Sequence, residues 1–144
     1  MQEKRFETRS PEETYDIGRM IGNGLSCGDV VALYGELGTG KTIIAKGIAK
    51  SLGIDEHITS PTYTYVREYQ GRYEYFHFDM YRMEGLEDAK ALGLEEYFEN
   101  EGVFVIEWAD RAEGVLPKRR MDVYMKKDME KGIEYRNIRI RDSR

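Results

Sequence analysis

Gly35-Glu36-Leu37-Gly38-Thr39-Gly40-Lys41-Thr42 has the spacing G-x-x-x-x-G-K-[ST], a backbone that wraps a phosphate. Gly35, Gly38 and Gly40 let the chain turn tightly enough to aim successive N–H groups, Thr39 among them, at phosphate oxygens. Lys41 supplies a point charge for the β- and γ-phosphates, and the Thr42 hydroxyl suits Mg²⁺. Such a loop has to join a strand to a helix, whose N-terminus adds partial positive charge under the phosphates. Val30 to Tyr34 reads as that strand. Ile43 to Leu52 reads as the helix, with apolar residues at helical spacing and Gly53 as its stop.

Binding alone is not turnover, which needs a metal held by a carboxylate and a group that orients the nucleophile. Glu107 closes the apolar run Val103 to Ile106, a buried strand, and so stands where a metal-binding acid faces the phosphate loop; otherwise it is an ordinary strand-end glutamate. Asp79 ends another strand and is the candidate to position or deprotonate the attacking water. Ser60 and Thr62 sit in a polar turn that can act as a switch-like loop, or merely satisfy backbone groups. Trp108 follows Glu107 and either packs in the core or shapes the site. His57 and His77 are too isolated for a zinc centre, although His77 shares a strand face with Asp79.

The elements around these residues follow in order. Lys4 to Thr8 is a short first strand; Ser10 caps a helix with Pro11 at its first position and Glu13 closing a capping box. Thr14, Ile17, Met20 and Ile21 give that helix an apolar stripe, ended by Gly24. Tyr63 to Tyr69 and Tyr73 to Asp79 make an aromatic hairpin around Gly71, its tyrosines best read as cross-strand packing. Leu86 to Leu92 is a helix broken at Gly93, and Leu94 to Phe98 a further turn or two. Arg111 to Pro117 reads as a loop or single turn. Met121 to Lys127 and Ile133 to Ile140 form a closing hairpin with a charged tip.

The 144 residues suit one domain, and their net charge of −5 argues against tight autonomous binding to nucleic acid. The C-terminal third is nevertheless basic, with Lys118 to Arg120, Arg136, Arg139, Arg141 and Arg144. Most such charges are solvated, yet a partner or RNA contact is a second use. No run of about 18 apolar residues would span a bilayer and no leader is recognisable, so a cytoplasmic protein with no membrane partner is expected. The single Cys27 reads as a small, at least half-buried residue. The guanine-reading Asn-Lys-x-Asp is missing, which favours ATP over GTP, and no Arg-rich kinase lid is evident.

Several segments together resemble one family, the bacterial tRNA threonylcarbamoyladenosine biosynthesis ATPase TsaE, also called YjeE. They are Leu33 to Thr42, Ser60-Pro61-Thr62-Tyr63-Thr64, His77-Phe78-Asp79-Met80-Tyr81-Arg82, Glu107-Trp108-Ala109-Asp110 and Leu116-Pro117. The resemblance implies an ATPase that assembles with two proteins of the TsaB and TsaD type and meets tRNA through that complex. It places Lys41 on the phosphates, Thr42 and Glu107 on Mg²⁺, Asp79 in hydrolysis, Thr62 on a switch-like loop and Pro11 near the adenine. Ile43 departs from the second threonine common there, leaving only its backbone N–H to bind nucleotide.

The expected fold is α/β: a single three-layer P-loop NTPase domain over residues 1–144 with a mixed parallel/antiparallel sheet. The expected function is a Mg²⁺-dependent ATPase subunit of the tRNA-modifying complex. The alternatives are a stand-alone small-molecule or nucleoside kinase and a nucleotide-gated binding module. A kinase would release little phosphate until its acceptor arrives.

Overall fold

The computed structural model describes residues 2–59 and 65–144. Its strands are β1 (Gln2–Thr8), β2 (Val30–Tyr34), β3 (Val66–Gln70), β4 (Glu74–Asp79), β5 (Val103–Glu107), β6 (Met121–Lys127) and β7 (Arg136–Asp142). They form one sheet in the order β1-β7-β6-β2-β5-β4-β3. The centre is parallel: β2 lies between β5 and β6, and β4 runs alongside β5. The hairpins close both sides antiparallel, β3 on β4 and β7 and β1 beyond β6.

Every residue of β2 and β5 is buried, as continuous apolar strands must be when helices cover both faces. Helices α1 (Pro11–Asn23) and α2 (Lys41–Ser51) cover one face, over Val31, Leu33, Tyr75 and Val105. On the other, α3 (Leu86–Leu92), α4 (Leu94–Tyr97) and a 3-10 helix at Ala109–Val115 pack over Ala32, Phe76, Phe78, Phe104 and Ile106. The expected three-layer mixed-sheet architecture is what forms.

Local departures have physical causes. The stripe expected on α1 is rotated: Met20 is 42 % exposed, and the buried line runs Thr14, Gly18, Ile21, Gly22. Small residues seat this helix because α2 crosses it at backbone contact. A β-carbon on Gly47 would stand 2.3 Å from the Tyr15 carbonyl oxygen and 2.9 Å from the Gly18 Cα. Gly47→Ala is therefore expected to lower the melting temperature by about 5 °C, since such overpacking costs about 1–3 kcal/mol against ~1 kcal/mol of helix propensity gained. Circular dichroism melting checks this; an unchanged or raised midpoint contradicts it.

The Ser10 hydroxyl accepts the Glu13 N–H at 3.2 Å as a cap should, but the Glu13 carboxylate returns to the N–H of Arg9 at 2.6 Å, one residue before the box expected. Arg111 to Val115 belongs to the 3-10 helix rather than a loop, because Ala109, Ala112 and Val115 recur at its three-residue period and bury one side; Leu116 is already extended beyond it. The first strand extends back to Gln2 through its ladder with β7, whereas β7 begins only at Arg136. Cys27 is exposed, in the turn between α1 and β2, against the expected burial.

Candidate functional site

The site forms where the parallel strands end. Leaving β2 at Tyr34, the chain turns through residues 35–40 and enters α2 with Gly40 as N-cap. Gly40 has φ 103°, a left-handed conformation that any side chain would strain, and its N–H is left at the mouth of the helix. Arg136 at the start of β7 grips the loop from outside. Its Nε donates to the Thr39 carbonyl at 2.9 Å and its Nη2 to that of Gly38 at 3.1 Å. Carbonyl and N–H point oppositely across a trans peptide, so anchoring the Thr39 carbonyl outward turns the Gly40 N–H inward.

Lys41 is only 4 % exposed. Its ammonium donates to the carbonyls of Gly35 at 2.7 Å and Glu36 at 2.9 Å and lies 4.1 Å from the centre of the Trp108 ring. Burial pulls its pKa below the ordinary lysine value, while the nearby charges of Glu107, Asp79 and Asp110 pull it back up. Trp108 is held over the lysine by a left-handed backbone, φ 56°, directly after β5. Strain of this kind in a non-glycine residue costs about 1–3 kcal/mol and collects at functional sites. Tyr81 packs on the indole at 4.9 Å, and Arg111 secures this wall through the carbonyls of Tyr81 and Met83.

The two acids meet by strand register. Asp79 of β4 pairs with Glu107 of β5, and Glu107 with Leu33 of β2, so both carboxyl groups rise on the α2 side of the sheet. Glu107, 3 % exposed, accepts the Thr42 hydroxyl at 3.0 and 3.1 Å through its two oxygens. His77 Nε2 lies 2.6 Å from the same carboxylate, on a ring with no exposure. An ionised carboxylate only accepts, so Nε2 carries the proton; Nδ1 has no partner among the described residues. Asp79 accepts the Tyr81 N–H at 2.9 Å, a turn that fixes its carboxyl at the strand end.

These groups line a cleft of about 460 Å³ that includes Lys41, Thr42, Ile43, Asp79, Glu107 and Trp108. Thr42 and Glu107 supply hard oxygen donors in contact with each other, which fits Mg²⁺. The described residues hold no group of three or more His, Cys, Asp or Glu arranged for a metal. A Mg²⁺ ion here would draw its remaining ligands from nucleotide phosphates and water, as this ion commonly does.

The structure thus brings together the phosphate loop, Lys41, Thr42, Asp79, Glu107 and Trp108. Pro11 heads α1 but does not line the cleft; that helix reaches the loop through Thr14, whose Cγ2 lies 3.6 Å from a β-carbon built on Gly40. Ser60 and Thr62 lie outside the described residues. Two residues had no role in this site from sequence: His77, placed only on the Asp79 face, and Arg136, counted only in the basic C-terminal third. His77 could have been found from the register that sets it beside Val105, two residues before Glu107 on the same face. Arg136 left no local signal, because its partner is a loop 97 residues earlier in the chain.

A family model described as Threonylcarbamoyl adenosine biosynthesis protein TsaE matches residues 8–138, which contain all of these cleft residues. The tRNA threonylcarbamoyladenosine biosynthesis protein TsaE of Bacillus subtilis (strain 168) is 41 % identical over 128 residues, 88 % of this chain and 80 % of that protein. The protein of the same name from Treponema pallidum (strain Nichols) is 41 % identical over 122 residues, 85 % of this chain and 90 % of that one. The crystal structure of Bacillus subtilis YdiB aligns with a TM-score of 0.81 at 35 % identity, covering 99 % of this chain and 87 % of that one.

Proposed function

The chain belongs to the TsaE family of threonylcarbamoyladenosine biosynthesis proteins, and on that premise we propose that it is the Mg²⁺-dependent ATPase of a tRNA-modifying complex. It works in the cytoplasm with two partners of the TsaB and TsaD type, meets tRNA through them, and its ATP turnover drives or resets the assembly. No helix of the described residues is long and apolar enough to cross a membrane.

The observation that carries this reading is the contact of the Thr42 hydroxyl with Glu107, beside Lys41 and one strand from Asp79. The loop N–H groups and the α2 N-terminus hold the triphosphate. Lys41 exchanges its two loop carbonyls for phosphate oxygens, which compensates the burial that now depresses its pKa. Thr42 and Glu107 would hold Mg²⁺, which would neutralise charge on the phosphates when bound. His77 donates to Glu107 and fixes its rotamer. Asp79 orients and deprotonates the attacking water, and Trp108 with Tyr81 walls the site against bulk solvent.

The test is phosphate release by Asp79→Ala from ATP and Mg²⁺, with the partners present and no other acceptor. The rate is expected to fall by about 10²- to 10⁴-fold, the usual contribution of a positioned base, with ATP affinity changed by less than about threefold. Normal turnover in this variant rejects the role of Asp79. Phosphate release by the wild type only after a small-molecule acceptor is added rejects the hydrolase in favour of a kinase.

A further inference from the structure

Over β1, β7 and β6, one face of the sheet is covered by no helix of the described residues. On β1, β7 and β6 the apolar residues Phe6, Ile138, Ile140, Val123 and Met125 all point toward α1 and α2. The opposite side of these strands carries no comparable cluster. It is crossed instead by one row, in register over four neighbouring strands: Arg5, Arg139, Tyr124, Tyr34. At the usual spacing between strands this row is about 14 Å long.

Its chemistry is unusual for a purely solvated face. Arg5 and Arg139 stand directly opposite each other, a like-charge pairing that destabilises a sheet unless something anionic offsets it. Arg139 lies 4.4 Å from the centre of the Tyr124 ring, and Tyr124 stacks on Tyr34 at 4.8 Å. The side chains of Arg5, Lys126 and Lys127 make no hydrogen bond or ion pair among the described residues. Lys131 and Arg139 make half-exposed bridges to Glu7 and Glu3, of the kind worth about 0–1 kcal/mol and readily exchanged for phosphate, beside their ring contacts with Tyr135 and Tyr124.

The face is also shaped. A concavity of about 440 Å³ is lined by Arg5, Lys126, Lys127, Lys131 and Arg139, with Asp128 as its one carboxylate. It shares Tyr124, Lys126 and Lys127 with a second hollow of about 350 Å³, floored by the tyrosine stack and walled by the back of the phosphate loop. Cations that track a backbone beside an aromatic floor are the combination that holds single-stranded nucleic acid.

We propose that this uncovered β1–β7–β6 face is a docking surface for single-stranded RNA, its phosphates on Arg5, Arg139 and Lys126 and a base against the tyrosine-floored hollow. The chain carries a net charge of −5, and Glu3 and Glu7 share this face by strand alternation, so binding is local, modest in affinity and sensitive to salt. The surface shares no lining residue with the cleft of Lys41, Asp79 and Glu107, although its tyrosine-floored hollow borders Gly35, Glu36 and Thr39 of the phosphate loop. Its test contains no ATP, so its failure is distinguishable from failure of the ATPase reading.

The experiment is fluorescence anisotropy of a labelled 15-nucleotide single-stranded RNA titrated with the full chain. Arg5→Glu combined with Lys126→Glu is compared with a double reversal of equal charge placed elsewhere, Lys4→Glu with Lys118→Glu. Both pairs are exposed side chains, and melting curves confirm that the variants fold. The wild type is expected to bind at low salt, with log affinity falling against log salt at a slope of about −2 to −3 for three or four phosphates contacted. The first double variant should lose at least tenfold in affinity and the second less than twofold. Inorganic polyphosphate and poly-glutamate should each compete at least tenfold less well than unlabelled RNA. No binding by the wild type at low salt overturns the proposal, as does an equal loss in both double variants. Competition by polyphosphate equal to RNA reduces the face to a bare anion site and overturns it too. Equal competition by poly-glutamate overturns it in favour of an acidic protein partner.

Discussion

Glu107→Gln is expected to lower ATP hydrolysis by about 10²- to 10³-fold while leaving nucleotide affinity within about tenfold of the wild type, the loss typical of one preorganised electrostatic contact. The amide preserves the shape and one acceptor oxygen, so His77 Nε2 and the Thr42 hydroxyl keep a partner. What it removes is the charge that would share Mg²⁺ with Thr42. Glu107→Ala is the harsher change. It strands the His77 donor on a ring with no exposure and whose Nδ1 already lacks a partner among the described residues, adding about 1–3 kcal/mol of instability. The glutamine variant therefore isolates the chemistry, and the comparison of melting midpoints isolates the fold. Hydrolysis by Glu107→Gln within threefold of the wild type would remove this residue from the metal site.

Lys41→Ala is expected to weaken ATP binding on the order of 100-fold, since hydrogen bonds to a charged group are worth about 1.5–3 kcal/mol and this ammonium would make them with two phosphates. The lysine is poised for the exchange. It is almost fully buried, its positive charge is disfavoured by that burial, and its present partners are two neutral carbonyls and the face of Trp108. A triphosphate offers a stronger partner at the same place. Lys41→Arg is expected to fail similarly, because a planar guanidinium does not fit a pocket shaped for a compact ammonium. Isothermal titration with a non-hydrolysable ATP analogue measures both variants, and unchanged affinity in Lys41→Ala would refute the phosphate role.

The parallel centre was legible because its signals are local. Val30 to Tyr34 and Val103 to Glu107 are unbroken apolar runs followed by a glycine loop or an acid, and both form strands with those bounds. The helix over Leu86 to Leu92 is likewise bounded by glycines that the chain itself displays. The meeting of Asp79 and Glu107 followed from the expectation that both end strands, and register supplied the rest. Contacts made across the fold were not legible. Gly18 and Gly47 carry no signal of their own in the sequence; their role shows only where α1 and α2 meet at backbone contact and only hydrogen fits. Arg136 read as one cation of a basic tail, although its fork holds the phosphate loop. The open sheet face was invisible too, since strand alternation says which side chains share a face but not whether a helix covers it.

The most direct measurement is a crystal structure with a non-hydrolysable ATP analogue and Mg²⁺. The account predicts the β- and γ-phosphates within the loop at residues 35–42, the Lys41 ammonium moved onto them, and the metal against Thr42 Oγ1 and the Glu107 carboxylate. It also predicts the Asp79 carboxyl facing the outer side of the γ-phosphate. A triphosphate seated away from the loop, or bound there with both carboxyl groups turned from it, would contradict the account.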